Sequence, residues 1–457
     1  MSMKVGSRFS RFSGRWLPVA LAGMLAGTLG GPALGSPDSG CHLTVPGAEH
    51  AQSVCLPDLT TAGTVASGHT DPADWAGLHA PGTQNPSGAP GIQIDGYFPD
   101  SSTLNSSHGW NHDSQFVIRL PDDWNGGLVV TGAPGNREQY ANDFIIGDWV
   151  LARGYAFAAT DKGNVGAEFH TDGRRPGDAV AEWHLRMTEL TRAAKQVVKQ
   201  RYGEQPRRTY VTGISNGGYL ARWQLENRPW LYDGGVDWEG TLFTPDGPNL
   251  FTFLPPALRH YPKHKAGDEQ AHQAILDAGF EPGSEPLWDF HHTYYWDLTQ
   301  RIYREEFDPG YDGDAVAGHP YCLPGSVPGC DADYDYAERP RSVHRAVERV
   351  SLTGAIKKPM ITLHGTLDTL LPIRVDSDTY AEMIEGRHRY YRVVGGNHVD
   401  SLYAGYPDLL RPILPCYREA FAALEDWTDQ GAAPPPSATL PRPASGDLIN
   451  TCDLAAT

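Results

Sequence analysis

Ser215 lies in Thr209-Tyr210-Val211-Thr212-Gly213-Ile214-Ser215-Asn216-Gly217-Gly218, where a short apolar run enters Gly-x-Ser-x-Gly and passes directly into a helical stretch, Tyr219 to Asn227. A serine hydroxyl is a poor nucleophile, and a sharp strand-to-helix turn holds it exposed where a histidine can take its proton. Gly213 and Gly217 leave room for that turn. The helix N-terminus behind Ser215 aims backbone N–H groups at a developing oxyanion. Such a serine needs a base, and the base needs an orienting acid, in the chain order serine, acid, histidine. Asp368 follows the apolar run Met360-Ile361-Thr362-Leu363, at the strand end where open α/β sheets bind ligands. Asp376 and Asp378 compete for the role, but they fall in the predicted next helix and read as solvated. His398 follows Gly395-Gly396-Asn397 at the end of another strand. One histidine among 18 says little alone; with Ser215 and Asp368 in the right order it completes a triad for acyl transfer through an acyl-enzyme.

The oxyanion needs two donors. The N–H of Asn216, directly after the nucleophile, is one. The second should come from Gly132-Ala133-Pro134-Gly135-Asn136. Pro134 has no N–H, which leaves Ala133 or Gly135, with Ala133 preferred.

The elements that must position these groups read as an α/β-hydrolase fold with a mostly parallel sheet and an inserted lid domain. Short apolar runs at Phe116–Leu120, Gly127–Thr131, Tyr155–Thr160, Asp233–Trp238, Pro359–Leu363 and His388–Val394 are predicted strands. A long helix is predicted from Gly177 to Tyr202, since Val180, Trp183, Met187, Leu190, Ala194, Val197 and Val198 form one stripe. Another is predicted from Leu409 to Trp427. Boundaries follow: 1–35 as a signal peptide, 36–112 as a loop-rich N-terminal region with room for edge strands, and 113–246 as the first part of the catalytic domain. Residues 247–346 are the lid, 347–430 the second catalytic part, and 431–457 a Pro-rich tail. The lid is dense in aromatics (Phe251, Phe253, Trp288, Tyr294, Tyr295, Trp296, Tyr303), which either line a site or form the insert's own core.

A chain of 457 residues, 40% hydrophobic and 20% charged, can bury one large core with an appendage. Lys4, Arg8, Arg11 and Arg15, the apolar stretch Leu17–Leu29 and the small residues Ala33-Leu34-Gly35 form an export leader, which places the mature protein outside the cell with no membrane anchor. Its removal takes away four positive charges and no acid, so the formal charge moves from −18 to −22. Such a surface repels nucleic acid and anionic membranes. Six cysteines in an exported chain suggest disulfides. The pairing that closes local loops is Cys41–Cys55, Cys322–Cys330 and Cys416–Cys452. Asp308 to Asp314 and Asp331-Ala332-Asp333-Tyr334-Asp335 are dense in hard oxygens; they read either as solvated acidic surface or as a structural calcium site with Asp331, Asp333 and Asp335 as ligands. The reaction itself requires no cofactor.

With these residues in place the chain resembles the tannase and feruloyl-esterase group of secreted α/β-hydrolases. The resemblance rests on Leu120-Pro121-x-x-Trp124-Asn125-Gly126, Gly154-Tyr155-Ala156-x-Ala158-x-Thr160-Asp161, the Gly-x-Ser-x-Gly-Gly elbow and the late Asp and His, over roughly 115–400. It implies hydrolysis of phenolic-acid esters, with relatives acting on monoesters of aromatic diacids, and a lid calcium whose loop Cys330-Asp331-Ala332 resembles. The group carries bonded cysteines beside the catalytic Ser and His; Ile214 and Val399 stand there in this chain. Ser215-Asn216-Gly217-Gly218 is also similar to secreted hydroxybutyrate-oligomer hydrolases, and Thr131-Gly132-Ala133-Pro134-Gly135 resembles the oxyanion loop of proline iminopeptidase-like enzymes. The expected partner is therefore a small-molecule or oligomeric ester, with a polyester-oligomer hydrolase and a serine aminopeptidase as alternatives.

Overall fold

Ten strands make one sheet: β1 His50–Leu56, β2 Gly91–Tyr97, β3 Gln115–Pro121, β4 Gly127–Gly132, β5 Ala156–Thr160, β6 Arg208–Ile214, β7 Gly234–Trp238, β8 Met360–Gly365, β9 His388–Val393 and β10 Ala438–Leu440. The computed structural model describes residues 40–99, 114–311 and 331–456. Strand order is β1-β2-β3-β5-β4-β6-β7-β8-β9-β10. β1, β2, β3 and β5 pair antiparallel, and every neighbour pair from β5 to β10 is parallel. This is the mostly parallel sheet with flanking helices expected of an α/β-hydrolase. The parallel strands read as apolar runs because helices cover both faces. All residues of β4, β5, β7 and β8 are buried.

Strand alternation sorts the side chains into two layers. Leu128 and Val130 of β4 face a core that includes Ala179, Val180, Trp183, Met187, Leu190, Ala194, Val197 and Val198 of the helix Asp178–Tyr202. Val129 faces the opposite core, with Ile214, Val236, Ile361 and the residues Tyr417, Phe421 and Leu424 of the helix Leu414–Asp429. Each large apolar side chain so buried stabilises the fold by about 1.5–3 kcal/mol.

Between β7 and β8 run the helices Leu250–Lys265, Glu269–Asp277, Glu285–His291, Asp297–Phe307 and Arg341–Glu348. Phe251, Phe253, Trp288, Trp296 and Tyr303 are buried in the first core, so these aromatics of the insert serve packing, whereas Tyr294 is exposed. The residues Cys41–Thr457 form a single unit.

The described part of the N-terminal region, residues 40–99, supplies two strands at one edge of the main sheet, β1 and β2. The Pro-rich tail adds β10, whose Ala438, Thr439 and Leu440 pair with Tyr391, Arg392 and Val393 of β9. Cys41 is bonded to Cys55 and Cys416 to Cys452. The leader and the Cys322–Cys330 pair lie outside the described residues.

Candidate active site

Ser215 directly follows β6 with φ 58° and ψ −121°, and the helix Asn216–Asn227 begins at the next residue. A non-glycine residue at positive φ is strained and persists only where its surroundings hold it. Here the Ser215 N–H donates to Trp238 O at 3.0 Å, and Tyr219 N–H closes the first helical turn on Ser215 O. The glycines are required by contact. A Cβ on Gly213 would lie 2.5 Å from the Gly217 carbonyl carbon, and one on Gly217 would lie 2.4 Å from Gly132 O. The elbow therefore presses directly on the end of β4, which brings the loop after β4 to the nucleophile.

Asp368 lies three residues past β8. Its Oδ1 accepts the N–H groups of Leu370 and Leu371, both at 2.8 Å, and its Oδ2 lies 2.7 Å from His398 Nδ1. This contact fixes the proton of His398 on Nδ1 and leaves Nε2 as the basic nitrogen. Asp368 and His398 are both buried. Burial favours the neutral acid, but His398 and His364 outweigh it and hold the Asp368 carboxyl well below the usual carboxylate range. The two loops are joined: Leu367 N–H donates to Gly396 O at 2.8 Å, and Asn397 Nδ2 donates to Leu367 O at 2.6 Å. His398 starts from β9, yet its Nδ1 reaches within 3.8 Å of Glu239 Oε2, directly after β7 and next to the nucleophile strand.

The rival acids are committed elsewhere. Asp376 is buried rather than solvated; it accepts from Arg222 Nη1 at 2.9 Å and from Leu242 N–H at 2.8 Å. Arg222 also donates to Asp237 at 2.7 Å, so this pair braces the nucleophile helix. Asp378 accepts from Tyr390 Oη.

The preferred second oxyanion donor is corrected. Ala133 N–H donates to Thr160 O at 2.9 Å, because the β4–β5 ladder runs one residue past the strand end. That donor is consumed. Gly135, at φ 51°, is the next residue with an N–H. Its carbonyl accepts from Asn216 Nδ2 at 2.9 Å, and the same Nδ2 donates to Tyr303 Oη of the insert at 2.7 Å. The Asn216 backbone N–H sits at the first turn of its helix, where no intrahelical acceptor exists.

The three candidate calcium ligands go to different partners. Asp331 lies between Arg301 (3.1 Å) and Arg304 (2.9 Å), Asp333 accepts from Tyr311 Oη, and Asp335 caps Ala337 N–H. Two guanidinium groups already neutralise Asp331, which does not fit a dication. Among the described residues, the group that gathers three such side chains is Glu239, His364 and Asp368, with ligand atoms within 4.8 Å of one another.

Sequence reasoning passed over Glu239 and His291. An acid immediately after an apolar strand, at the sheet's C-terminal edge, was the available signal for Glu239. His291 comes from the insert and carried none. It is buried, with Nδ1 2.7 Å from Thr369 Oγ1, and burial pushes it down to about 4, so it is neutral near pH 7.

Residues 105–236 match the family model described as tannase and feruloyl esterase. Over 141 residues, 28% of this chain, the sequence is 27% identical to mono(2-hydroxyethyl) terephthalate hydrolase of Piscinibacter sakaiensis, and the match spans 23% of that protein's length. Among solved structures, feruloyl esterase B from Aspergillus oryzae aligns with TM-score 0.48 and 14% identity over 86% of this chain and 89% of that one. Tannin acyl hydrolase from Aspergillus niger aligns with TM-score 0.46 and 13% identity, over 84% and 83%. Across residues 105–236 the chain resembles the tannase and feruloyl-esterase family.

Proposed function

We propose that this protein is an exported serine carboxylic-ester hydrolase acting through Ser215, His398 and Asp368 on aromatic or oligomeric esters. The observation that carries the reading is the 2.7 Å bond between Asp368 and His398, held at the sheet edge onto which Ser215 is turned at positive φ. His398 Nε2 takes the Ser215 proton as Oγ attacks the ester carbonyl. The Asn216 and Gly135 N–H groups stabilise the oxyanion. Collapse of the tetrahedral adduct expels the alcohol, which receives its proton from His398, and leaves an acyl-serine. Water then attacks with His398 as base, releasing the acid and restoring the hydroxyl. The aromatic acyl preference is supported by the similarity to an enzyme named for a terephthalate monoester. Export agrees with the two disulfides.

The test sets p-nitrophenyl acetate, a feruloyl ester, a galloyl ester and a terephthalate monoester beside aminoacyl p-nitroanilides. Ester turnover that Ser215→Ala abolishes, with an unchanged thermal transition, is expected. A Ser215→Ala protein with full esterase activity, or turnover of the anilides alone, would overturn the reading.

A further inference from the structure

We propose that Glu239 is a second carboxyl partner of His398, a positioning residue that shares the Nδ1 edge of the imidazole with Asp368. The inference rests on the triad reading and extends it.

Glu239 directly follows β7 and is fully buried. Its Oε1 accepts the Gly365 N–H at 2.7 Å, which ties it to the end of β8, the strand that delivers Asp368. Its Oε2 has no hydrogen-bond partner among the described residues and lies 3.8 Å from His398 Nδ1. That is 1.1 Å beyond the 2.7 Å held by Asp368 Oδ2. The backbone of Glu239 has φ 50°, a conformation that L residues adopt only when constrained. A strained main chain, a buried acid and an oxygen left unpaired beside the imidazole together mark a group kept for that imidazole rather than for packing.

The surroundings explain why Asp368 is the partner at rest. Burial and the Asp368 charge drive Glu239 far above the usual carboxylate range, with Asp400 and Asp237 adding to the effect. His364, 3.3 Å from Asp368 Oδ2, and His398 both favour the charge on Asp368. Two carboxyls this close do not both ionise. Glu239 holds the proton and Asp368 the charge. When Asp368 is made neutral, the main like-charge opposition to Glu239 is gone. Burial still opposes its ionisation, so Glu239 gives up its proton only as pH rises, and its Oε2 then becomes the anionic acceptor for the His398 Nδ1–H.

The expected result is a non-additive pair. In the wild-type background Glu239→Gln keeps an oxygen for the Gly365 N–H and lowers kcat/KM by a few-fold. In an Asp368→Asn background, where Glu239 alone orients His398, the same change lowers kcat/KM by at least tenfold more than it does in wild type. The residual activity of Asp368→Asn also gains an acidic limb, as Glu239 must ionise to serve, and the double variant lacks that limb. Glu239→Asp, whose carboxyl is withdrawn by one methylene, should act like Gln in the Asp368→Asn background. It provides the comparison if the Gln double variant loses its thermal transition. Equal factors for Glu239→Gln in the two backgrounds, or an Asp368→Asn pH profile unchanged by it, overturn the proposal. Because Ser215→Ala is measured alongside, loss of the triad reading itself is seen separately: that reading fails on Ser215, this one on the factor ratio.

Discussion

Asn216→Ala separates the backbone role of the residue after the nucleophile from its side-chain role. The substitution keeps the Asn216 N–H and removes three side-chain bonds: Nδ2 to Gly135 O (2.9 Å), Nδ2 to Tyr303 Oη (2.7 Å) and Thr241 Oγ1 to Oδ1 (3.2 Å). Tyr303 and Thr241 are buried, so water does not readily replace the lost partners. At about 1 kcal/mol for each bond, stability should fall by roughly 2–3 kcal/mol. The catalytic effect has a ceiling. The change can at most displace the second oxyanion donor, and full loss of one such donor lowers kcat by about 10²–10³. Loosening a loop that keeps its own turn should cost less, a kcat decrease of about 10–100-fold, or roughly 1.4–2.7 kcal/mol in the barrier. KM should change little, since the oxyanion forms only in the transition state. Urea melts give the first quantity, and steady-state turnover of a p-nitrophenyl ester the second. Asn216→Asp retains an acceptor for Thr241 but cannot donate to Gly135, so it should lose kcat without the full stability loss. An Asn216→Ala enzyme within twofold of wild-type kcat would show that Gly135 is not held by this side chain and would remove it from the oxyanion site.

Gly217→Ala places a Cβ 2.4 Å from Gly132 O; overpacking of this kind costs about 1–3 kcal/mol, so Tm should drop together with activity, and an unchanged Tm would contradict the close approach. Replacing Cys416 and Cys452 by Ser opens a link between positions 36 residues apart, which loop entropy values at about 3–4 kcal/mol; guanidinium unfolding should show an unfolding free energy lower by that amount, and no change would mean the tail is held by β10 alone. Burial pushes the Asp400 carboxyl up to about 7. A folded carboxyl raised above its unfolded value of about 3.9 gives stability that is complete below that value and is lost as pH rises through about 7. This group should therefore lower Tm between about pH 4 and 7, and Asp400→Asn should flatten that slope; an identical slope in the variant would assign the pH dependence to other groups.

The parallel strands and the long helix were legible because their apolar pattern follows directly from being covered on both faces or on one stripe. β2 was not, because it carries a polar network into the interior. Gln93 and Asp95 alternate with Ile92 and Ile94 as in a strand with one solvated face and interrupt the continuous apolar run that marks the covered strands; Gln93 is nonetheless buried, and both are satisfied: Arg119 Nε donates to Gln93 Oε1 at 2.8 Å, and Tyr140 Oη donates to Asp95 at 2.6 Å. The pairing of Asp368 with His398 follows from positions that the sequence places at two strand ends. The competitor Asp376 could not be dismissed for the right reason, since its partner Arg222 is more than a hundred residues away in sequence and equally buried. Ala133 failed as a donor for a local cause. Sequence shows where a β-run weakens, but not that one more N–H still meets the neighbouring strand. Glu239 stood at a strand end like Asp368, whereas His291, in the insert, is brought near Thr369 by tertiary folding alone.

The absence of cysteines beside the nucleophile and the base has a structural answer. Ile214 is fully buried and Val399 packs against the same core, so both positions contribute apolar contacts where a disulfide would sit. Contact of that kind is not directional and cannot aim an imidazole. The aim comes from hydrogen bonds on either side of His398. Before it, Gly395 O accepts from Arg411 N–H at 2.7 Å and Gly396 O from Leu367 N–H at 2.8 Å. After it, the Asp400 carboxylate oxygens accept the N–H groups of Ile413 and Leu414, at 2.7 and 2.9 Å. The base is thus pinned two residues upstream to the acid loop and two residues downstream to the start of the helix Leu414–Asp429, which the Cys416–Cys452 bond anchors in turn. Catalytic geometry needs its orienting groups themselves held by packing and hydrogen bonds. Here backbone carbonyls before His398 and the Asp400 carboxyl after it do that work, so the imidazole is held against Asp368 without a covalent link between the loops.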